Sequence, residues 1–423
     1  MDTMARQMIS TIIGKSVKKV AKLRGGGGSA LPGLVIEKID PKYIQRTLRN
    51  LPQGVVIISG TNGKTTTTKI VVELLESVGL KVFTNRTGSN FSRGVAAALL
   101  DEVNLRGKLE ADIAVLELDE AWAVKFVQMV RPRFSLLLNV MRDQLDRFGE
   151  IDNTASLLQK IAEATTDTVV LNRDDPRIFN ISKHIQAKKA FFGTTSKLLK
   201  LMPTDDNLKY GNATANKNTS ADVLLTKIDT QQATLQIDNR KVDVDLQLTG
   251  VYNLLNAAAA VALVRQITGP EVTSTILAAL ENIKPAFGRG ETIFLDDTPI
   301  ELILVKNPSG FRLALLSFAK GGTATMIAVN DNYADGRDVS WFWDVDFSSL
   351  KNVAMISGTR AYDMALRLQY DEVSIEEVDT NLPKALNNFI NKHNNEPKQI
   401  FCSYTAMTAI RRLLSEKTDV EEI

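Results

Sequence analysis

Between Val55 and about Gly193 the chain alternates short apolar runs with stretches of helical spacing. The runs are VVIIS (55–59), KVFTN (81–85), DIAVLELD (112–119), FSLLLNV (134–140), DTVVLN (167–172) and KAFFG (189–193). Strands of nearly unbroken apolar character, separated by helices, predict a parallel sheet covered on both faces. Residues 195–245 are different: polar, rich in Asn, Thr and Asp, and alternating in ADVLLTKID, ATLQID and KVDVDLQL. That alternation predicts an antiparallel insertion or edge hairpin. A helical stretch, NLLNAAAAVALVRQIT, follows Gly250, and a second α/β pattern runs through LILVK, ATMIAVN, NVAMISG and KQIFCSY to the C-terminus.

The first segment, RQMISTIIGKSVKKVAKLR, places Ile9, Ile12, Ile13, Val17 and Val20 at helical spacing with Lys15, Lys18, Lys19 and Lys22 on the other side, and ends in GGGGS (25–29). Such a basic amphipathic helix has two uses. It can lie on an anionic membrane surface, or pack its apolar stripe on the neighbouring domain.

Composition narrows the function. A chain of 423 residues has room for two or three cores. With 51 Lys and Arg against 49 Asp and Glu, the net charge of +2 gives no reason to expect a nucleic-acid partner. No apolar run approaches the roughly 18–20 residues that a membrane span requires. Cys402 is alone, so no disulfide framework or Cys-based metal site is expected and a cytoplasmic setting fits. His184 and His393 are the only histidines and neither lies near a motif, which argues against zinc and against a self-contained Cys–His or Ser–His nucleophile.

The most informative chemistry sits at VVIISGTNGKTT (55–66). A buried strand feeding a Gly-rich turn into a helix aims backbone N–H groups and the positive end of the helix dipole at one spot. Gly60, Thr61, Asn62, Gly63, Lys64, Thr65 and Thr66 form that turn. Lys64 and the Thr65 hydroxyl make it a site for nucleotide phosphate and Mg²⁺. Glu117 ends another strand and forms, with Asp119 and Glu120, an acidic cluster suited to Mg²⁺. Asn139, Asp143, Asp146 and Arg147 gather after a third strand, and Asn172, Asp174 and Asp175 after a fourth. Each group is either an ordinary capped turn or part of one shared site.

Taken in order, GTNGKTT, the Glu117 strand end, NVMRDQLDR (139–147), NRDDP (172–176), GVYNLLNAAAA (250–260) and GRGE (288–291) resemble the Mur ligase superfamily over roughly residues 45–423. Those enzymes use ATP to phosphorylate a carboxylate, and an amine then attacks the acyl phosphate. The resemblance implies an α/β fold: a P-loop central domain with a parallel sheet, and a Rossmann-like C-terminal domain. Expected boundaries are 1–44 for the N-terminal helix and linker, 45–293 for the ATP-binding domain and 294–423 for the C-terminal domain. It also implies roles: Lys64 on the β- and γ-phosphates, Thr65 and Glu117 on Mg²⁺, Arg289 on the γ-phosphate. Asn253 and Asn256 would lie near adenine, and Asn172 and Asp175 on the ribose and base side.

Departures narrow the choice. Gln144 and Tyr252 stand where most relatives have histidine, which removes the ligand for a second Mg²⁺. LVKNPSGF (304–311), NDNYADGRDVSWFWDVDF (330–347), ISGTRAYDMALRL (356–368) and SYTAM (403–407) resemble the MurT branch, the synthetase subunits of lipid II isoglutaminyl synthase. The zinc ribbon that branch often carries is absent, because residues 195–245 hold no cysteine. This resemblance implies ATP-dependent amidation of the D-glutamate α-carboxylate in the lipid II stem peptide, with ammonia from a separate GatD-like glutaminase, at the inner face of the cell membrane. It further implies that Asp338, in DGRD, completes a Cys-His-Asp triad whose other members belong to that partner. Asp335 is the nearby rival, and pairing with Arg337 or capping a turn is the structural alternative. Cys402, in QIFCSY, reads as a buried structural residue. Trp341 and Trp343 read as core or partner packing, and Arg360 as either an anion contact or a surface ion pair. Two other functions compete: an amino-acid-adding ligase of the muramyl-peptide or folylpolyglutamate type, and a nucleotide-binding scaffold without ligase chemistry.

Overall fold

The computed structural model describes residues 3–23, 30–85, 92–142, 151–202, 219–229, 232–248, 250–284, 289–319 and 321–420. Nine strands form the first sheet: β1 Gly54–Ser59, β2 Val82–Thr84, β3 Ile113–Glu117, β4 Phe134–Leu137, β5 Thr168–Asn172, β6 Lys188–Thr194, β7 Val223–Ile228, β8 Gln232–Ile237 and β9 Arg240–Asp245. Their order is β2-β3-β1-β4-β5-β6-β7-β8-β9. Every pairing from β2 to β7 is parallel, and β8 and β9 add an antiparallel edge. The six apolar runs read from the sequence are β1 to β6, and the polar 195–245 region supplies the edge strands. Asp238 and Asn239, at φ 50° and 63°, turn β8 into β9 in the left-handed geometry that favours Asp and Asn.

Alternation along β1 assigns the two faces. Val56 and Ile58 join a core with the helices Lys64–Ser77 and Val251–Thr268. Val55 and Ile57 join a second core with Ala30–Ile39, Ser92–Glu102, Glu120–Met129 and Ile151–Ala164. Helix Val251–Thr268 is apolar nearly all round, and Ala257 to Ala260 are fully buried. Small side chains let it lie close behind β5, β6 and β7.

The second sheet holds β10 Arg289–Leu295, β11 Thr298–Leu304, β12 Ala324–Ala328, β14 Met355–Ser357, β16 Val378–Asp379 and β17 Lys398–Cys402; the short β13 Asn352–Val353 and β15 Ser374–Ile375 pair separately. Its order is β10-β11-β17-β12-β14-β16, parallel except for the β10–β11 hairpin. Asp296 and Asp297, at φ 47° and 62°, make that turn. Arg289–Leu295 thus pairs with the C-terminal sheet, so the chain changes sheet before Arg289 and not at the expected 293.

The N-terminal helix Thr3–Leu23 packs against Ala30–Ile39 and Ser92–Glu102, but not with its apolar stripe. Its inward side is small and polar. The Thr11 hydroxyl meets the Tyr43 hydroxyl at 3.1 Å, Gln7 donates to the Gly107 carbonyl at 2.8 Å, and Lys18 pairs with Asp101. At Gly14 an added Cβ would lie 2.7 Å from Leu100 Cδ2. Packing of the stripe on the domain, one of the two expected arrangements, is therefore not what occurs.

Candidate active site

β1 and β3 end side by side, with Ile58 in register with Glu117, so the turn after β1 and the carboxylate after β3 share the carboxyl edge of the sheet. Gly60 and Gly63 hold φ of 137° and 91°. Gly63 begins helix Lys64–Ser77, and a Cβ there would fall 2.6 Å from Asn256 Oδ1. Asn256 therefore lies against the loop itself. Asn139 clamps the loop from β4: its Oδ1 accepts from the Asn62 N–H and its Nδ2 donates to the Asn62 carbonyl, both at 2.9 Å.

Lys64 is almost fully buried. Its ammonium donates to the Gly60 and Thr61 carbonyls at 2.5 and 3.3 Å and pairs with Glu120 Oε1 at 3.2 Å. Beside it the Thr65 hydroxyl donates to Glu117 Oε1 at 2.8 Å. Glu117 is positioned by Asn85, which exchanges two hydrogen bonds with its backbone at 2.8 and 3.0 Å. Thr65 and Glu117 are hard oxygen donors converging at a helix N-terminus, a pair that fits Mg²⁺, which takes one or two protein ligands beside phosphate and water. The wider acidic cluster does not form. Asp119 accepts from the Ala121 N–H as a helix cap and Glu120 belongs to Lys64. Among the described residues, no three His, Cys, Asp or Glu side chains come together as a metal site.

A cleft opens beside this turn between the two sheets. Asn62, Gly63, Tyr252, Asn253 and Asn256 line it from one side, and Leu304, Lys306, Leu313, Ala314 and Phe318 from the other. Asn253 and Asn256, expected near adenine, both line this cleft. Side-chain contacts also join the two walls. Asn307 Nδ2 donates to Asn62 Oδ1 at 3.1 Å, while Asn307 Oδ1 caps helix Pro308–Phe318 at the Gly310 N–H, and Arg142 pairs with Asp344 at 2.9 Å.

Asn172 and Asp175 are placed otherwise than expected. Asn172 donates to the Leu138 carbonyl at 2.9 Å, and Asp175 accepts from the Val140, Arg177 and Ile178 N–H groups at 2.8 to 3.0 Å. Both are buried within the sheet edge and neither lines the cleft. Burial pushes the Asp175 carboxyl up to about 6 despite those N–H donors. Arg289 lies at the start of β10 with its side chain outside the described residues, as do Asp143, Gln144, Asp146 and Arg147 altogether.

In the C-terminal half, Asp335 is buried and holds the Thr405 N–H and hydroxyl at 2.7 and 2.5 Å, tying its loop to the start of helix Tyr404–Ser415. Asp338 is only part-buried, and its Oδ1 takes the Ser340 N–H at 2.8 Å. Arg360 is committed to Asp331 at 2.8 Å, the surface ion pair. Trp341 is buried in an edge-to-face contact with Phe342, whereas Trp343 is half exposed against Tyr370. Cys402 is fully buried, and burial pushes its thiol well above the ordinary range, which removes it as a nucleophile. Sequence reasoning missed Asn85, the Asn62–Asn307 bridge and the Lys64–Glu120 pairing. The first was visible only as the polar end of KVFTN.

Comparison with known proteins agrees with this layout. Residues 58–264 match the family model of the Mur ligase middle domain, and residues 304–407 that of the MurT ligase C-terminal region. The lipid II isoglutaminyl synthase (glutamine-hydrolyzing) subunit MurT of Streptococcus pneumoniae is 32% identical over 94% of this chain and 95% of its own. Its counterpart in Staphylococcus aureus is 29% identical over 88% and 89%. Among solved structures, MurF of Acinetobacter baumannii shares the fold at TM-score 0.68 and 20% identity, covering 91% of this chain and 80% of that one. Folylpolyglutamate synthase of Mycobacterium tuberculosis does so at TM-score 0.62 and 15%, covering 89% and 96%.

Proposed function

The chain belongs to the MurT family within the Mur ligase superfamily, and from that premise we propose that it is the ATP-dependent synthetase subunit of a lipid II isoglutaminyl synthase. The observation that carries this reading is the phosphate turn, where Lys64 and the Thr65–Glu117 pair converge at one helix N-terminus.

The α-carboxylate of the stem-peptide D-glutamate attacks the γ-phosphorus of ATP and ADP leaves. Ammonia then attacks the acyl phosphate carbon, phosphate departs, and a proton is lost to give D-isoglutamine. Lys64, released from Glu120, neutralises charge on the β- and γ-phosphates, and Arg289 is assigned to the γ-phosphate. Thr65 and Glu117 would hold Mg²⁺, which supplies charge neutralisation on the phosphates when bound. Asn253 and Asn256 take the nucleoside side, and the apolar wall of Leu313, Ala314 and Phe318 excludes water from a short-lived acyl phosphate.

A GatD-like glutaminase supplies the ammonia. Asp338 is the residue assigned to its triad, orienting the partner's histidine. The choice over Asp335 is supported by burial: Asp335 is enclosed and spent on Thr405, while Asp338 is part-exposed with one oxygen on Ser340. The reaction takes place on a lipid-linked substrate at the inner membrane face.

The test is reconstitution with a glutaminase partner, lipid II and ATP, with glutamine or ammonium as nitrogen donor, following ADP release and the mass of the lipid product. Lys64→Ala should lose amidation with either donor. Asp338→Asn should lose it with glutamine and keep it with ammonium. Full glutamine-driven activity in Asp338→Asn would remove that residue from the triad, and full activity in Lys64→Ala would end the whole reading.

A further inference from the structure

Helix Thr3–Leu23 faces the wrong way for a helix whose only task is to cover a core. Its inward side carries Gln7, Ser10, Thr11, Gly14 and Lys18. Met8, Ile9, Ile12, Ile13 and Val20 are 39–49% exposed on the outer side. Met8, Ile9, Ile12 and Ile13 form one apolar patch at helical spacing, and Val20 lies two turns beyond Ile13 on the same face. Leu31 and Ile39, on the helix packed alongside, add further exposed apolar surface.

The charge around the stripe selects its occupant. Residues 3–23 carry Arg6, Lys15, Lys18, Lys19 and Lys22 and no acidic residue. Lys18 is taken by Asp101. Lys15 and Lys19 stand seven residues beyond Met8 and Ile12, and so border the same edge of the stripe. An apolar face bordered by lysines on a helix about 30 Å long matches a bilayer interface with anionic headgroups. No described helix is long and apolar enough to cross a membrane, so this one would lie on the surface.

We propose that the outer face of helix Thr3–Leu23 docks the protein on an anionic lipid bilayer, with Met8, Ile9, Ile12, Ile13 and Val20 entering the headgroup boundary and Lys15 and Lys19 meeting lipid phosphate. The choice of a bilayer over a protein partner rests partly on the reading of a lipid-linked substrate. The inward polar face keeps the helix attached to the ATP-binding unit, so docking would fix the distance between catalytic cleft and membrane.

The experiment is co-sedimentation of the full chain, complexed with its glutaminase, with vesicles of equal phosphatidylglycerol and phosphatidylcholine and with phosphatidylcholine alone. The wild type should pellet with the anionic vesicles and much less with the zwitterionic ones. Ile9→Glu/Ile13→Glu should reduce the bound fraction at least about tenfold, since buried apolar area sets binding strength. Lys15→Gln/Lys19→Gln should weaken binding about fivefold per charge at low salt and little at high salt. Ile9, Ile13 and Lys19 are exposed and Lys15 is half-buried, so both variants should melt as the wild type does. Absence of wild-type pelleting, or undiminished pelleting of the Glu variant, overturns the proposal. So does a wild-type oligomer that the Glu variant dissociates, because a second copy would then cover the face. Amidation of a short-chain, water-soluble lipid II analogue is followed in parallel: its failure in the wild type refutes the enzymatic reading and leaves the vesicle result intact.

Discussion

Replacing Glu120 by Gln isolates what the buried Lys64–Glu120 pair contributes. Lys64 and Glu120 are 7% and 3% exposed at their side chains and lie 3.2 Å apart. Removing one partner of a buried pair costs about 3–5 kcal/mol when nothing else holds the remaining charge. Here the Gly60 and Thr61 carbonyls stay within 2.5 and 3.3 Å of the ammonium, and the new amide keeps an oxygen facing it. We therefore expect a loss of about 2 kcal/mol, or a melting point lower by about 4–8 °C. Nucleotide binding should move the other way. A bound phosphate supplies the countercharge that Gln cannot, while in the wild type it must compete with Glu120 for the lysine. Recovery of some or all of that 2 kcal/mol means ADP binding about 3- to 30-fold tighter in Glu120→Gln. Thermal denaturation and calorimetric ADP titration read the two effects separately. Unchanged stability together with weaker ADP binding would refute the reasoning, and would place Glu120 among the groups that hold the nucleotide.

Two further outcomes follow from the same turn and its neighbours. Gly63→Ala forces a Cβ onto a residue at φ 91° and 2.6 Å from Asn256 Oδ1, so it should cost about 1–2 kcal/mol from the backbone alone and weaken ADP binding at least tenfold. Adding Asn256→Ala should relieve the collision seen by thermal melting but not the backbone strain. For Asp175, the folded pKa of about 6 lies above the ordinary 3.8, so its stabilising contribution is complete below about pH 4 and is lost as pH rises through 6. The Asp175→Asn variant cannot titrate there. Denaturant curves across that range should therefore show wild type losing about 3 kcal/mol relative to the variant as pH rises.

The strands and the phosphate turn were legible because each rests on local chemistry. Unbroken β-branched runs identify buried strands, and glycines beside Lys64 and Thr65 leave few alternatives. Side-chain pairing across the fold was less legible. Glu120 looked like a third metal carboxylate because Lys64 lies far away in sequence, and only the β1–β3 register unites them. Asn172 and Asp175 carry the residue types of a ligand site, yet the sheet edge needs those same types to satisfy its own N–H and carbonyl groups. Trp341 and Trp343 share one short motif and differ completely in exposure, because the tight helical turn Ser340–Asp344 directs neighbouring side chains apart. The N-terminal helix showed its two faces in the sequence, but which face packs depended on the close approach at Gly14.

The pair of asparagines joining residue 62 to residue 307, with the ion pair from Arg142 to Asp344, has a kinetic consequence. These contacts fasten the turn at residues 60–66 and its neighbour to the opposite wall, so the gap has a latch of its own. Spent ADP would leave either beside that latch or by undoing it. If it undoes the latch, the pace of a catalytic cycle is set by the parting of two side-chain contacts, and cutting either one would hasten departure without touching the reacting atoms.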